Sequence, residues 1–156
     1  MIVAKFGGSS VKDASGMQRC SDIIENSPDI QIVILSATFN TTNELEKMGE
    51  VATTNYSEAL SLLKFNKYKH ELIMQDLGIT EEHLFDLYQE AQDILTEIND
   101  SRCLTPKLMD HLYSIGERVS TKVFYLFLQK KLTNRDVCLQ DASEIIQTNE
   151  SFNHRW

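Results

Sequence analysis

A chain of 156 residues, 42% of them hydrophobic and 24% charged, is sized for one globular domain with its own core and is short for two. A net charge of −8, from 23 acidic and 15 basic residues, with no basic stripe, argues against a nucleic-acid binder. No apolar run reaches the roughly 20 residues that span a bilayer. The opening "MIVAKFGG" has no basic n-region, and Lys5 interrupts its apolar stretch, so a cytoplasmic protein without a secretory leader is expected.

In chain order, Ile2–Phe6 reads as a strand, followed by Gly7, Gly8, Ser9 and Ser10. Met17, Cys20, Ile23 and Ile24 then fall at helical spacing, with Pro28 closing that segment. Ile32–Leu35, "IVIL", is a β-branched run suited to a strand buried on both faces. Strand, helix and strand form a βαβ unit, the signature of a parallel sheet. A helix is expected over Ser57–Gln75, ended by Gly78. Thr80 is placed to cap the next one, with Glu81 and Glu82 in its first turn. Leu84, Leu87, Tyr88, Ala91, Ile94, Leu95 and Ile98 give that helix one apolar face, which is read as core packing. Thr105-Pro106 marks another helix start, and Val119–Leu132 is apolar enough for a buried helix. Val137–Leu139 suggests a third strand, and Ser143–Ile146 a short helix. Three strands make a thin sheet against the usual five or six, so the chain reads as the first part of a larger domain.

Cys20, Cys103 and Cys138 are odd in number and far apart, with no Cys-x-x-Cys pair, which argues against a disulfide framework and a zinc site and predicts reduced, partly buried thiols. His70, His83, His111 and His154 lack metal-ligand spacing and are expected to be surface or internally satisfied residues.

Three stretches carry residues fit for chemistry. In "KFGGSSV", a strand feeding glycines feeding a helix would aim N–H groups and a helix's positive end at one spot, with Lys5 as a point charge for a phosphoryl group. Gly7 and Gly8 would let a phosphate oxygen approach the backbone, though an ordinary tight turn has the same composition. Neither the Walker loop nor the dinucleotide Gly-x-Gly-x-x-Gly pattern is present. "SATFNTTNEL" follows the second strand, where ligands of open α/β sheets sit. Ser36, Thr38, Thr41 and Thr42 could there donate to a carboxylate or phosphate, or Thr and Asn could simply cap a helix. In "SIGERVST", Glu117 beside a glycine at a junction between two helices could hold an ammonium group, with Ser114, Ser120 and Thr121 in support. It could equally complement a helix dipole.

Together, and in this order, "KFGGSSV", "SATFNTTNEL" and "SIGERVST" resemble the aspartate kinases of the amino acid kinase family, with spacing similar to the lysine-sensitive, single-function branch. "QTNESF" near the end is similar to that branch as well, so the resemblance runs from Ile2 to about Phe152. It implies an α/β fold of carbamate-kinase type, three αβα layers around a mainly parallel sheet, incomplete at the C-terminal end. Residues 1–156 would be the N-terminal, amino-acid-binding part of the kinase domain, lacking the nucleotide-binding half and the regulatory ACT domains. It implies transfer of the γ-phosphoryl of MgATP to the side-chain carboxylate of L-aspartate, the entry to lysine, threonine and methionine synthesis. Lys5, Gly7, Gly8 and Ser9 match the ATP-phosphate loop, with Lys5 as the catalytic cation. Ser36 and Thr42 match positions around aspartate, and Glu117 the acid that meets its amino group. Mg²⁺ would be held mainly through the nucleotide phosphates, with no protein metal site, and a homo-oligomer is compatible with the family. Asn40 stands where the family usually has glycine, and Phe39 and Glu44 add bulk and charge to that loop. The alternatives are a non-catalytic remnant that binds a partner, and a plain α/β domain whose glycines form a turn.

Overall fold

The computed structural model describes residues 1–80 and 84–146. Its elements are β1 (Ile2–Phe6), α1 (Ala14–Glu25), β2 (Ile30–Leu35), α2 (Thr41–Ala52), α3 (Tyr56–Asp76), α4 (Phe85–Ser101) and α5 (Pro106–Lys131), followed by a short 3₁₀ turn at Ala142–Glu144. β1 and β2 pair in parallel, with Ala4 opposite Val33, Lys5 opposite Ile34 and Phe6 opposite Leu35. This confirms the expected βαβ unit.

The pleat divides these residues between two faces. Ala4, Phe6, Val33 and Leu35 pack against the helical core, and Phe6 meets Phe124 of α5 edge to face, with ring centroids 6.4 Å apart. On the opposite face Val3, Ile32 and Ile34 remain about half exposed, at 52, 46 and 51%. The expectation that "IVIL" is buried on both sides is therefore corrected. Among the described residues, helices cover one face of the sheet.

The expected third strand is corrected too. Val137–Leu139 has no regular secondary structure and pairs with no strand among the described residues, and a cavity of about 280 Å³ is lined by both this segment and β2. Arg135 anchors the start of this segment by donating to the carbonyls of Ile24 and Ile30, at 3.0 and 2.6 Å. Its two bonds fix the approach to the sheet edge while leaving strand pairing unmade.

The helical layer follows the sequence pattern closely. Thr105 Oγ1 accepts the N–H of Leu108 at 3.2 Å, with Pro106 opening α5. Gly78, at φ 67°, ends the α3 region in the left-handed conformation that glycine adopts without strain. Leu84, Tyr88, Ala91, Ile94, Leu95 and Ile98 are buried in one core. The Thr80 capping expectation involves Glu81 and Glu82, which lie outside the described residues, as do His83, His154 and the "QTNESF" stretch from residue 147. The short helix near Ser143 forms as the 3₁₀ turn. Cys20 is buried, whereas Cys103 and Cys138 are exposed, against the expectation of partial burial.

α5 is one unbroken helix of 26 residues. Glu117 thus sits mid-helix, and the expected junction between two helices is absent. Gly116 is present for clearance. A Cβ there would stand 3.0 Å from Leu45 Cδ1, 3.1 Å from Thr41 Cγ2 and 3.2 Å from Ala37 Cβ.

Candidate functional site

The three stretches converge at the carboxyl ends of the two strands. Ser36 N–H donates to the Phe6 carbonyl at 3.1 Å, tying the 36–42 loop to the glycine bend. Gly8 presses on the same loop, since a Cβ on it would lie only 2.8 Å from the Ala37 carbonyl oxygen. The Lys5 Nζ folds towards the bend and stands 3.7 Å from where a Gly7 Cβ would be. Gly116 holds α5 against Ala37 and Thr41 from the other side, which places the turn carrying Glu117 beside the start of α2.

At the N-terminus of α1 the Gly16 N–H is already taken, by Asp13 Oδ1 at 2.7 Å. The N–H groups of Ser10 and Val11 both point at the Gly7 carbonyl, at 2.9 and 3.3 Å. Within the bend, the N–H groups of Gly8 and Ser9 take no partner among the described residues. These two amides and the exposed Lys5 ammonium are the groups the bend itself leaves for an anion. Lys5 and Glu117 form no ion pair among the described residues, and Glu117 and Ser9 are exposed.

In the loop, Ser36 is half-buried and Thr42 exposed. Asn40 adopts φ 65°, ψ −4°, the left-handed conformation that suits the family's glycine. Its Oδ1 accepts from Asn43 Nδ2 at 3.0 Å. Thr38 and Thr41, by contrast, are only 2 and 1% exposed, and their hydroxyls bond to each other at 2.6 Å. They are withdrawn from any ligand, so the four hydroxyls suggested by sequence reduce to Ser36 and Thr42. Ser114 is committed to the His111 carbonyl at 2.7 Å. Ser120 is fully buried, and its Oγ has no partner among the described residues. Neither serine supports Glu117.

Behind Thr38 lies a polar cluster that the sequence reading missed. His70 Nε2 is 2.9 Å from Thr38 Oγ1. His70 Nδ1 is 2.9 Å from both the Asn66 carbonyl and the Tyr88 hydroxyl, and Tyr88 donates to Asn66 Oδ1 at 2.9 Å. Lys69 Nζ donates to Thr41 Oγ1 at 2.9 Å and to Glu44 Oε2 at 2.8 Å, and Asn66 Nδ2 donates to the same carboxylate oxygen. The charge that Glu44 adds to the loop is thereby paired. Burial lowers the His70 pKa to about 4 and pushes the Tyr88 hydroxyl up. The available signal was Asn66 and His70 standing four apart on the stripe of α3 that also carries Leu63, Ile73 and Met74.

A parallel βαβ unit with a glycine bend, a hydroxyl loop and a helical acid at its strand ends defines a protein of the α/β class. More particularly, residues 1–152 match the amino acid kinase family model, and the chain belongs to that family. It is 38% identical over 136 residues to aspartokinase 2, chloroplastic, of Arabidopsis thaliana, which covers 82% of this chain and 24% of the relative. It is 29% identical over 157 residues to lysine-sensitive aspartokinase 3 of Escherichia coli (strain K12), covering 97% of this chain and 33% of that one. The solved structure of E. coli aspartokinase III in complex with aspartate and ADP (R-state) superposes with a TM-score of 0.71 at 29% identity, over 84% of this chain and 29% of the other. The chain thus spans about a quarter of the length of the first of these relatives and a third of the second. The amino acid kinase-like α/β fold class is borne out. No described helix is long and apolar enough to cross a membrane, and no metal-binding cluster occurs among the described residues.

Proposed function

We propose that residues 1–156 are the amino-acid-binding, N-terminal part of an aspartate kinase domain, which transfers the γ-phosphoryl of MgATP to the side-chain carboxylate of L-aspartate. The observation that carries this reading is the contact of Gly8 with the Ala37 backbone, which brings the bend meant for phosphate against the loop meant for the amino acid. Family membership and the aspartokinase relatives support the same assignment.

The chemistry suits these groups. A carboxylate with a pKa of about 3.9 is already ionised at pH 7, so the acceptor needs no general base. The barrier is repulsion between anions, on the order of 4 kcal/mol for like charges about 4 Å apart at an effective dielectric near 20. Lys5 and the amides of Gly8 and Ser9 would offset that repulsion and stabilise charge on the transferring group, while Gly7 leaves the backbone open beside Lys5. Mg²⁺ would arrive with the nucleotide and neutralise its phosphates; the exposed Lys5 and the unpartnered amides suit the anionic rim of such a complex. Ser36 and Thr42 would bind the aspartate carboxylates, and Glu117 its ammonium group, selecting amino acids over plain dicarboxylates. Contacts to the base and ribose, a second lysine, and an arginine and serine for aspartate would come from sequence beyond these residues, so turnover by this stretch alone is not expected.

Calorimetric titration of MgATP and MgADP tests the phosphate bend. Weak binding should fall about tenfold or more in Lys5→Ala, the loss of one charge-assisted contact. Identical curves for the two proteins would reduce the glycines to a turn. In an aspartate-dependent ADP-release assay this stretch alone should show no turnover, and activity from it would overturn the incompleteness of its site. Specific binding of L-aspartate separates this reading from the second one, a non-catalytic binding domain, which the uncovered apolar sheet face favours.

A further inference from the structure

One His70 tautomer satisfies all the hydrogen bonds around the ring. With the single Tyr88 proton given to Asn66 Oδ1, the Tyr88 oxygen and the Asn66 carbonyl, each 2.9 Å from Nδ1, are both left to accept, so Nδ1 carries the ring proton. Nε2 is then an acceptor, and the Thr38 hydroxyl must donate to it across 2.9 Å. Thr38 Oγ1 in turn accepts from Thr41, whose own oxygen accepts from the Lys69 ammonium. The chain of donors runs one way, from a lysine on α3 through two loop hydroxyls into the ring. Tyr88 of α4 closes it by donating to Asn66 Oδ1, which orients the amide that donates to Glu44. Every polar atom in the chain is matched, within a region where His70 is fully buried and Thr38 and Asn66 are each 2% exposed. A half-satisfied version would be costly.

We infer that His70 is a positioning residue for the 36–42 loop: by accepting the Thr38 hydroxyl at Nε2 it fixes the bend that presents Ser36 and Thr42 to an amino-acid carboxylate. The ligand half of this statement rests on the proposed function; the loop half does not. Thr38 sits between Ala37, which bears on Gly8, and the left-handed Asn40 that opens α2. A tether at this one residue holds both ends of the loop. His70 touches no substrate and acts only through Thr38.

Two conservative variants of the full chain separate positioning from mere core filling. Glutamine extends its amide oxygen to the Nε2 position and keeps an acceptor for Thr38. Asparagine reaches only as far as Nδ1 and leaves the Thr38 hydroxyl without its partner. Hydrogen exchange followed by mass spectrometry should show amides 36–42 exchanging about tenfold or more faster in His70→Asn, as the loss of a buried hydrogen bond implies. Wild-type protection is expected in His70→Gln. Thr38→Val, which leaves the ring in place, should reproduce the asparagine result. Equal exchange in the asparagine and glutamine variants, or no change in Thr38→Val, would overturn the proposal. So would ring nitrogen shifts showing an Nε2-protonated His70 at pH 7.

L-Aspartate titration then reads the ligand half. Affinity should fall about tenfold in His70→Asn and in Thr38→Val, with no further loss in the double variant, because both break one contact. MgATP affinity should stay at the wild-type value. A wild-type chain that binds no aspartate at all would sink the proposed function, while loop exchange would still judge the tether.

Discussion

A methyl group on Gly8 would stand 2.8 Å from a backbone oxygen, whereas one on Gly7 would meet only the flexible end of Lys5 at 3.7 Å. The two neighbours therefore respond differently to the same substitution. Gly8→Ala must push the 36–42 loop off the bend and should cost about 1–3 kcal/mol in urea unfolding. Gly7→Ala should leave stability within about 0.5 kcal/mol yet weaken MgATP binding, because the added methyl occupies the approach to Lys5. The sequence showed two glycines alike; only the packing distinguishes a structural one from one free for a ligand. His70 illustrates the same limit. A histidine among apolar residues reads as satisfied, but the sequence does not reveal the partner that satisfies it. Its pKa, lowered by burial to about 4, makes stability depend on acid. Between the ordinary value of about 6.5 and about 4 the unfolded chain binds a proton that the folded chain refuses. Stability is thus complete above about pH 6.5 and falls by on the order of 3 kcal/mol as pH drops to about 4. Urea midpoints at pH 7 and 4.5 should show that loss in the wild type and a smaller one in His70→Gln.

Among the elements, α5 departs most from its expected form. A glycine followed by a charge suggested a break, yet Pro106–Lys131 is continuous. Gly116 spares the space in which Leu45, Thr41 and Ala37 come against the helix. Gly116→Val should separate α2 from α5 and destabilise by about 1–3 kcal/mol, measured as a lower thermal midpoint; a neutral result would mean that the contact yields easily. The α5 start was legible because capping is local. Thr105 accepts from Leu108 three residues on, and Thr105→Ala should cost about 1 kcal/mol. Strand Ile30–Leu35 was legible in type but not in environment, since β-branched residues favour strands whether or not a second layer covers them.

At the scale of the molecule, Val3, Ile32 and Ile34 form an apolar patch on the sheet face away from the helical core. Replacing Ile32 and Ile34 with threonine should leave the unfolding midpoint nearly unchanged and reduce the fluorescence of a bound apolar dye such as ANS. A large loss of stability would show that the patch is covered in solution. What the sequence by itself determined is whatever acts over a few residues: the βαβ unit, the caps, the helical stripes, and the family, because its three motifs are short and ordered. Tertiary structure alone decided which loop hydroxyls turn inward to His70, why Gly116 is small, and that Val137–Leu139 stops short of β2. Each depends on atoms from segments far apart in the chain, and a contact between two such segments leaves no periodicity in either one.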